Sequence, residues 1–431
     1  MQLESRLELF IDYHLIDRID GLKLRMHRPQ QAPLSPLPLS GYYMTVIKDG
    51  DLYRAYYRDH ARRSRTFRDD GPPPEITCYA ESQDGHVWTH PQLGIPGVEG
   101  PDGRNAILDT VPFSHNFCPF LDTRPRISPE ERFKALAGRQ ESKAGGLFAF
   151  VSGDGIRWQK LKDEAVIRSA ERAFDSQNVS FWSQVEGCYV CYYRSWETPH
   201  GELRTISRTT SPDFVHWSPA VPMNPNVAGE HLYTNNTHPY FRAPHIYIAL
   251  PTRFLPERGN ATDIMLMTSR DGSSYDRTFM EAFIRPGLER ARWGNRANYV
   301  ALHVVPTGPA EMSVYHAPGG CRYVLRTDGF ASLSGGYAGG EMITKVFSFS
   351  GSELVLNYST SAAGRIGVEI QSAAGRALPG YSLSECRPLV GDEIEGTVQW
   401  GQDTGLSSLS EKPVRLRFVQ QDADLFSMRF R

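Results

Sequence analysis

No stretch of this 431-residue chain is apolar enough to read as a membrane span, since a helix crossing a bilayer needs roughly 18 apolar residues in a row. Net charge is also scarce. Lysine plus arginine number 47 against 49 acidic residues, for a formal charge of −2, so no global field draws the chain to nucleic acid or an anionic membrane. Cysteine is sparse, at 6 residues, and only Cys188 and Cys191 stand close together. Their run, Cys188-Tyr-Val-Cys-Tyr-Tyr193, is strand-like, and residues three apart on a strand point to opposite faces. Buried thiols are therefore expected there, not a metal or redox pair. The first residues lack a basic segment leading into an apolar one, so no signal peptide is read and a cytoplasmic location is expected. Without a secretory context, the Asn-x-Ser/Thr triplets at Asn178, Asn235, Asn260 and Asn357 carry little weight.

What the chain does have is aromatic residues and repetition. Aromatics make up 11% of it, with 20 Tyr, 21 Phe and 7 Trp, a composition that favours β-structure and offers stacking faces. The stretch Phe174-Asp-Ser-Gln-Asn-Val-Ser-Phe-Trp182 reads as a short buried strand with a polar head. Its pattern returns at Asn116-Phe-Cys-Pro-Phe120, Asn236-Thr-His-Pro-Tyr240 and, more weakly, Asn298-Tyr-Val-Ala-Leu302. Phe10-Ile-Asp-Tyr-His-Leu-Ile16 reads as a degenerate first copy with Asp12 in the Asn slot. Asn116, Asn178, Asn236 and Asn298 stand 62, 58 and 62 residues apart, and a fixed period of that size signals a repeat architecture.

A second marker follows the same beat. Ser82-Gln-Asp-Gly-His-Val-Trp88, Ser152-Gly-Asp-Gly-Ile-Arg-Trp158, Ser211-Pro-Asp-Phe-Val-His-Trp217 and Ser269-Arg-Asp-Gly-Ser-Ser-Tyr275 share Ser-x-Asp, then Gly or Phe, then an aromatic, and Thr327-Asp328-Gly329-Phe330 is a clipped fifth copy. Asp-Gly between apolar runs is a strong hairpin signal because glycine accepts positive φ. Two strand-like runs lie between the markers in each unit, which makes four strands per unit. Four-stranded units repeated radially build a β-propeller, so an all-β, five-bladed propeller is expected over 1–330. From residue 331 to 431 the runs alternate in period two and read as a C-terminal β-sandwich. The long first unit carries Arg62, Arg63, Arg65 and Arg68 in a loop that reads either as a solvated surface or as a lid or subunit contact.

Propeller inner strands converge on an axis, and their polar ends line one mouth. Aligning the units places Asp12, Asn116, Asn178, Asn236 and Asn298 in a ring. Repeated Asn residues can serve architecture alone, by hydrogen bonding to neighbouring backbone. Residues that differ between units say more about chemistry: Asp12, Asp175, His115, Asn235 and His238. A carboxylate beside such a cavity is costly unless it is paired or used, and two carboxylates across a pocket suit glycosidic cleavage. Trp182, Tyr233 and Tyr240 are candidate sugar-stacking faces.

With those residues in view, the chain resembles the five-bladed propeller glycoside hydrolases typified by invertases, fructanases, arabinanases and β-xylosidases. The likeness rests on Phe-Ile-Asp12, the Ser-x-Asp-Gly-x-x-Trp hairpins and the trailing strands. It implies a catalytic trio of two Asp and one Glu from the first three blades. Asp12 fits the first slot. The second holds Asn116, with Asp122 six residues on, and the third holds Asn178 preceded by Asp175. The trio is therefore incomplete, and Asp175, Glu311 or Glu230 is left to supply the acid, with His115 and His238 further candidates because one related branch is thought to use a histidine acid.

The expectation is a hydrolase cleaving terminal sugars, furanosidic ones among them, from small oligosaccharides. Asp12, Asp175 and Glu311 are the expected catalytic residues. His115, Asn116, Asp122, Asn178, Trp182, Asn235, Asn236, His238, Arg296 and Asn298 are expected to hold the substrate. No cofactor is expected. Some relatives carry a structural calcium on the axis, but no ligand cluster here supports one. The expected partner is an oligosaccharide, with neither nucleic acid nor membrane, and homo-oligomerisation is left open. The rivals are a sialidase-like hydrolase, which needs an arginine triad drawn from residues such as Arg194, Arg292 and Arg296, and a carbohydrate-binding propeller without catalysis.

Overall fold

The computed structural model describes residues 1–35, 39–60, 75–96, 106–139, 145–316, 320–401 and 405–431. The chain divides into two compact units. One comprises Pro29–Gly308 and Met312–Val324, the other Met1–Arg28, Pro309–Glu311 and Leu325–Arg431. The expected boundary at 330 therefore shifts, and the first 28 residues join the C-terminal unit. The arginine-rich loop at 62–68 lies outside the described residues.

The larger unit is a β-propeller of antiparallel sheets in sequence order. The first holds Tyr42–Asp49, Leu52–His60, Glu75–Ser82 and Ala106–Leu108. The second holds Cys118–Leu121, Phe133–Ala137, Phe148–Ser152 and Gln159–Lys160, and the third Val179–Ser183, Cys188–Thr198, Gly201–Ser211 and Val221–Pro222. Next come His238–Tyr240, Ala243–Ala249 and Met267–Ser269, with a companion sheet of His231–Leu232, Thr252–Leu255 and Ala261–Ile264. The last sheet runs Val305–Pro306, Glu311–His316, Cys321–Arg326 and finally Gln30–Gln31, so its outermost strand comes from early in the chain. The innermost strands close on themselves where Thr45 bridges Leu302 in parallel. There Leu302 N–H donates to the Met44 carbonyl at 2.8 Å, and Val46 N–H donates to the Leu302 carbonyl at 3.1 Å.

The middle strands are apolar on both faces because each sheet packs against a neighbour on either side. Tyr189, Val190, Cys191, Tyr192 and Tyr193 are all buried in succession. Cys188 and Cys191 are free thiols on that strand. Between the second and third sheets, Phe214 packs on Phe120 and Tyr189 with ring centroids 5.6 and 5.1 Å apart, a spacing at which edge-to-face rings add to plain burial.

Each Ser-x-Asp repeat is a clamp on the turn before the outer edge of a sheet. In the second sheet, Asp154 Oδ1 accepts the N–H groups of Ile156 and Arg157, both at 2.8 Å, and Ser152 Oγ accepts that of Gly155 at 2.9 Å. Asp84, Asp213 and Asp271 accept the N–H groups two and three residues on in the same way. The turn requires positive φ at its fourth residue. Gly85, Gly155 and Gly272 supply φ of 71°, 75° and 70°, and Phe214 adopts 70° at the same place. The clipped fifth copy differs, since Asp328 accepts from Asn357 Nδ2 and Ser427 Oγ within the other unit.

That other unit pairs eight strands in one sheet around a single apolar core. Its longest members are Leu354–Ser372 and Val414–Phe430, and Ile16–Asp20 and Leu22–Met26 are recruited from the N-terminus. Phe10, Leu15 and Ile16 sit in its core. The segment read as the first propeller strand therefore belongs here, and the first inner strand is Tyr42–Asp49.

Candidate active site at one mouth of the propeller

The polar heads of the inner strands do converge, but the residues that gather there are partly unexpected. Asp175 precedes the third sheet's inner strand, and its carboxylate is about half exposed. Arg194 Nη2 lies 2.9 Å from Asp175 Oδ2 in an ion pair not aligned as a hydrogen bond. On the other side, His115 Nε2 stands 3.5 Å from Asp175 Oδ1. His115 Nδ1 is 2.6 Å from Glu75 Oε2, and Glu75 is held in turn by Arg58 at 3.1 Å. The line Glu75–His115–Asp175 is braced by Asn116, whose Oδ1 accepts from Arg58 at 2.9 Å and whose Nδ2 contacts His115 Nε2 at 3.1 Å. Asn116 holds a φ of 54°, the left-handed region that Asn tolerates better than most residues.

These contacts push the titratable groups apart. Burial raises the Asp175 carboxyl, but His115 and Arg194 outweigh it and hold the group well below the usual carboxylate range. Burial presses the His115 imidazolium down, yet the Asp175 and Glu75 carboxylates overcome that and leave its pKa raised. Glu75 is lowered overall, burial being outweighed by His115 and Arg58. The mouth thus holds an Asp175 biased toward its ionised form beside a histidine biased toward its protonated one. Glu75 fixes the Nδ1 end of the ring, and Nε2 faces Asp175 and the Asn116 amide.

Tyrosines and further arginines complete the mouth. Tyr43, Tyr233, Tyr299 and Phe254 form one buried cluster. The guanidiniums of Arg194, Arg204 and Arg296 lie 4.9, 5.4 and 5.8 Å from the Tyr233 ring centroid, and Arg296 Nη1 donates to Tyr233 Oη at 3.3 Å. Burial alone would raise the Tyr233 phenol, but Tyr43, Arg194 and Arg296 bring it below its ordinary value.

Of the expected site residues, Asp175, His115, Asn116 and Arg296 meet here. Asp12 does not. It is buried in the other unit, where Oδ1 accepts the His14 N–H at 2.9 Å, because the apolar residues flanking it pack into that unit's core. Glu311 also groups with that unit, at the head of its strand. Asp122 is a buried structural charge, 2.8 Å from Lys134 Nζ and accepting from Tyr189 Oη at 2.6 Å. Glu230, a further acid candidate, is buried and holds Arg277 with both oxygens at 2.8 and 3.0 Å.

The remaining asparagines serve architecture, since they are fully enclosed and their amides donate to backbone. Asn178 donates to the Phe174 and Ser176 carbonyls, Asn235 to Tyr192, Asn236 to Val300, and Asn298 to Thr262 and Arg292. His238 bridges strands, its Nε2 accepting the Val304 N–H while Nδ1 donates to Asn236 O, and burial drives its pKa down to about 3. Trp182 lines an apolar cavity of about 310 Å³ among the downstream ends of the inner strands, with Phe181, Tyr240 and Phe241.

Arg58, Glu75, Arg204, Tyr43 and Tyr299 escaped the sequence reading as site residues. Arg58, Glu75 and Arg204 come from middle strands, off the Asn marker, and no short motif announces them. Among the described residues, no group of three or more His, Cys, Asp or Glu is placed to hold a metal ion, and no helix is long and apolar enough to cross a membrane.

No family model matches the chain, and no curated protein matches it. Solved structures do. One titled simply a glycoside hydrolase is 13% identical, with 70% of this chain and 91% of that one aligned at a TM-score of 0.46. A family 43 arabinoxylan arabinofuranohydrolase from Bacillus subtilis, in complex with cellotetraose, is 13% identical over 91% of this chain and 96% of its own, at 0.42. A β-1,2-mannobiose phosphorylase from Listeria innocua is 10% identical over 71% and 97%, at 0.46. At these identities and TM-scores the likeness assigns the chain no family and no residue a role.

Proposed function

We propose that the protein is a glycoside hydrolase that removes terminal sugars from small oligosaccharides at the mouth holding Asp175. The observation that carries this reading is the line Glu75–His115–Asp175. Cleaving a glycosidic bond needs a proton for the departing oxygen and a negative charge for the oxocarbenium-like centre. His115 supplies the first from Nε2. Asp175, kept ionised by Arg194 and His115, supplies the second, either as nucleophile or as an electrostatic partner. Two neighbouring groups with pKa values driven in opposite directions are the pattern that divides acid from base in such sites. Glu75 orients the imidazole.

The test is turnover of a panel of aryl furanosides, aryl pyranosides and short oligosaccharides. Asp175→Asn is expected to lower kcat by at least about a thousandfold while the protein stays folded. His115→Gln should lower it strongly for substrates with poor leaving groups and much less for activated aryl glycosides, which need little proton donation. Sugar binding by the parent protein with no turnover on any substrate would sink the hydrolase reading in favour of a binding propeller.

A further inference from the structure

Four guanidiniums stand at the mouth, and their partners differ. Arg194 is matched by Asp175 and Arg58 by Glu75. Among the described residues, no carboxylate pairs with Arg204 or Arg296. Arg204 is half-buried, and its Nε is enclosed without an acceptor. Its guanidinium rests on aromatic rings, 4.3 Å from the Trp196 centroid and 5.2 Å from that of Phe254. Stacking uses the face of the guanidinium plane and leaves its edge donors unused. Arg172 lies over the same Trp196 ring at 3.9 Å, and among the described residues no carboxylate pairs with it either. Holding like charges together in a partly dry pocket is unfavourable without a counter-charge. Burial and Arg194 accordingly press the Arg204 guanidinium below its ordinary pKa.

We infer that the sugar taken by this pocket carries an oxyanion, a uronate carboxylate or a sulfate ester, bound by Arg204 and Arg296 beside Tyr233. The inference rests on the hydrolase reading for the site but concerns binding. A planar carboxylate fits the edge of a guanidinium through two parallel N–H···O bonds, and a sulfate offers the same pair of oxygens. Arg194 links the two groups, since it pairs with Asp175 and approaches the Tyr233 ring that Arg204 and Arg296 also approach, so an anion held there brings the sugar near the Asp175–His115 pair.

The experiment is calorimetric binding to the full chain of 4-nitrophenyl hexuronides, the matching neutral hexosides and their 6-sulfates. At least one acidic series is expected to bind ten times more tightly than its neutral counterpart, with affinity falling as salt rises. Which of the two series gains distinguishes carboxylate from sulfate. Arg296→Gln, at an exposed position where folding is not at stake, and Arg204→Met, which keeps the apolar stem, should each remove most of that preference. Equal binding of acidic and neutral sugars, no binding of acidic ones, or a preference that survives both substitutions overturns the inference. Tight binding of an acidic glycoside that is never cleaved leaves the anion site standing and removes only the hydrolase reading.

Discussion

His115 shows how one side chain can be set by two neighbours. A histidine whose folded pKa is raised keeps its proton above the ordinary value near 6.5. Activity that depends on that proton is therefore full at lower pH and is lost as pH rises through the raised value. Asp175, held low, stays ionised across the same range and adds no limb near neutrality. The kcat/KM profile is expected to fall on its alkaline side only, with a midpoint above 6.5. Glu75→Gln removes one of the carboxylates that raise His115 and should move that midpoint to lower pH. A midpoint that stays put would separate Glu75 from the proton donor. Stability follows the same sign, since the contribution of the His115 pairs is complete below the unfolded pKa and fades as pH climbs past the folded one.

At the scale of single elements, the Ser-x-Asp turns are the most repeated device, and the sequence announced them openly. Ser, Asp and Gly at fixed offsets are required by local hydrogen bonds, so a local reading finds them. Asp154→Ala deletes the acceptor of two N–H bonds, and because the carboxylate is partly exposed the expected loss is about 1–2 kcal/mol, read by chemical denaturation. The carboxyl is lowered by those N–H groups against the opposing effect of burial. Its contribution is therefore present above about pH 4 and lost as pH falls below. Gly155→Ala should cost more than a matched exposed glycine, because a Cβ there would lie 2.6 Å from Tyr56 Oη and the φ is 75°.

What the sequence could not reveal is which sheet a strand joins. Phe10 to Ile16 has the apolar character of an inner strand, and nothing local says that its core lies among Leu333, Val368 and Phe418. The mouth was half legible for a related reason. Asp175 and His115 sit on the repeating frame and stand out from it, whereas Arg58, Glu75 and Arg204 reach the site from middle strands whose alternation looks ordinary.

The molecule as a whole has a boundary that sequence order hides. A chain cut after residue 330 retains Phe10, Leu15 and Ile16 but loses the strands that bury them. It is expected to expose apolar surface, bind a hydrophobic dye and self-associate. A chain spanning 29–324 keeps the propeller sheets and loses only the last two residues of the strand Cys321–Arg326, and it should stay monodisperse by size-exclusion chromatography. Equal behaviour of the two fragments would contradict the discontinuous unit.

The strand Gln30–Gln31, opposite Val324 and Tyr323, gives the chain a particular life during synthesis. Those two residues leave the ribosome well before the strand they pair with and must wait, with their edge unmet, until the intervening sheets have followed them out. Through that interval the ring is an open row of sheets whose last member has its outer strand but not yet the three strands that join it. Growth of the chain, more than any single contact, sets the moment at which this protein can first become whole.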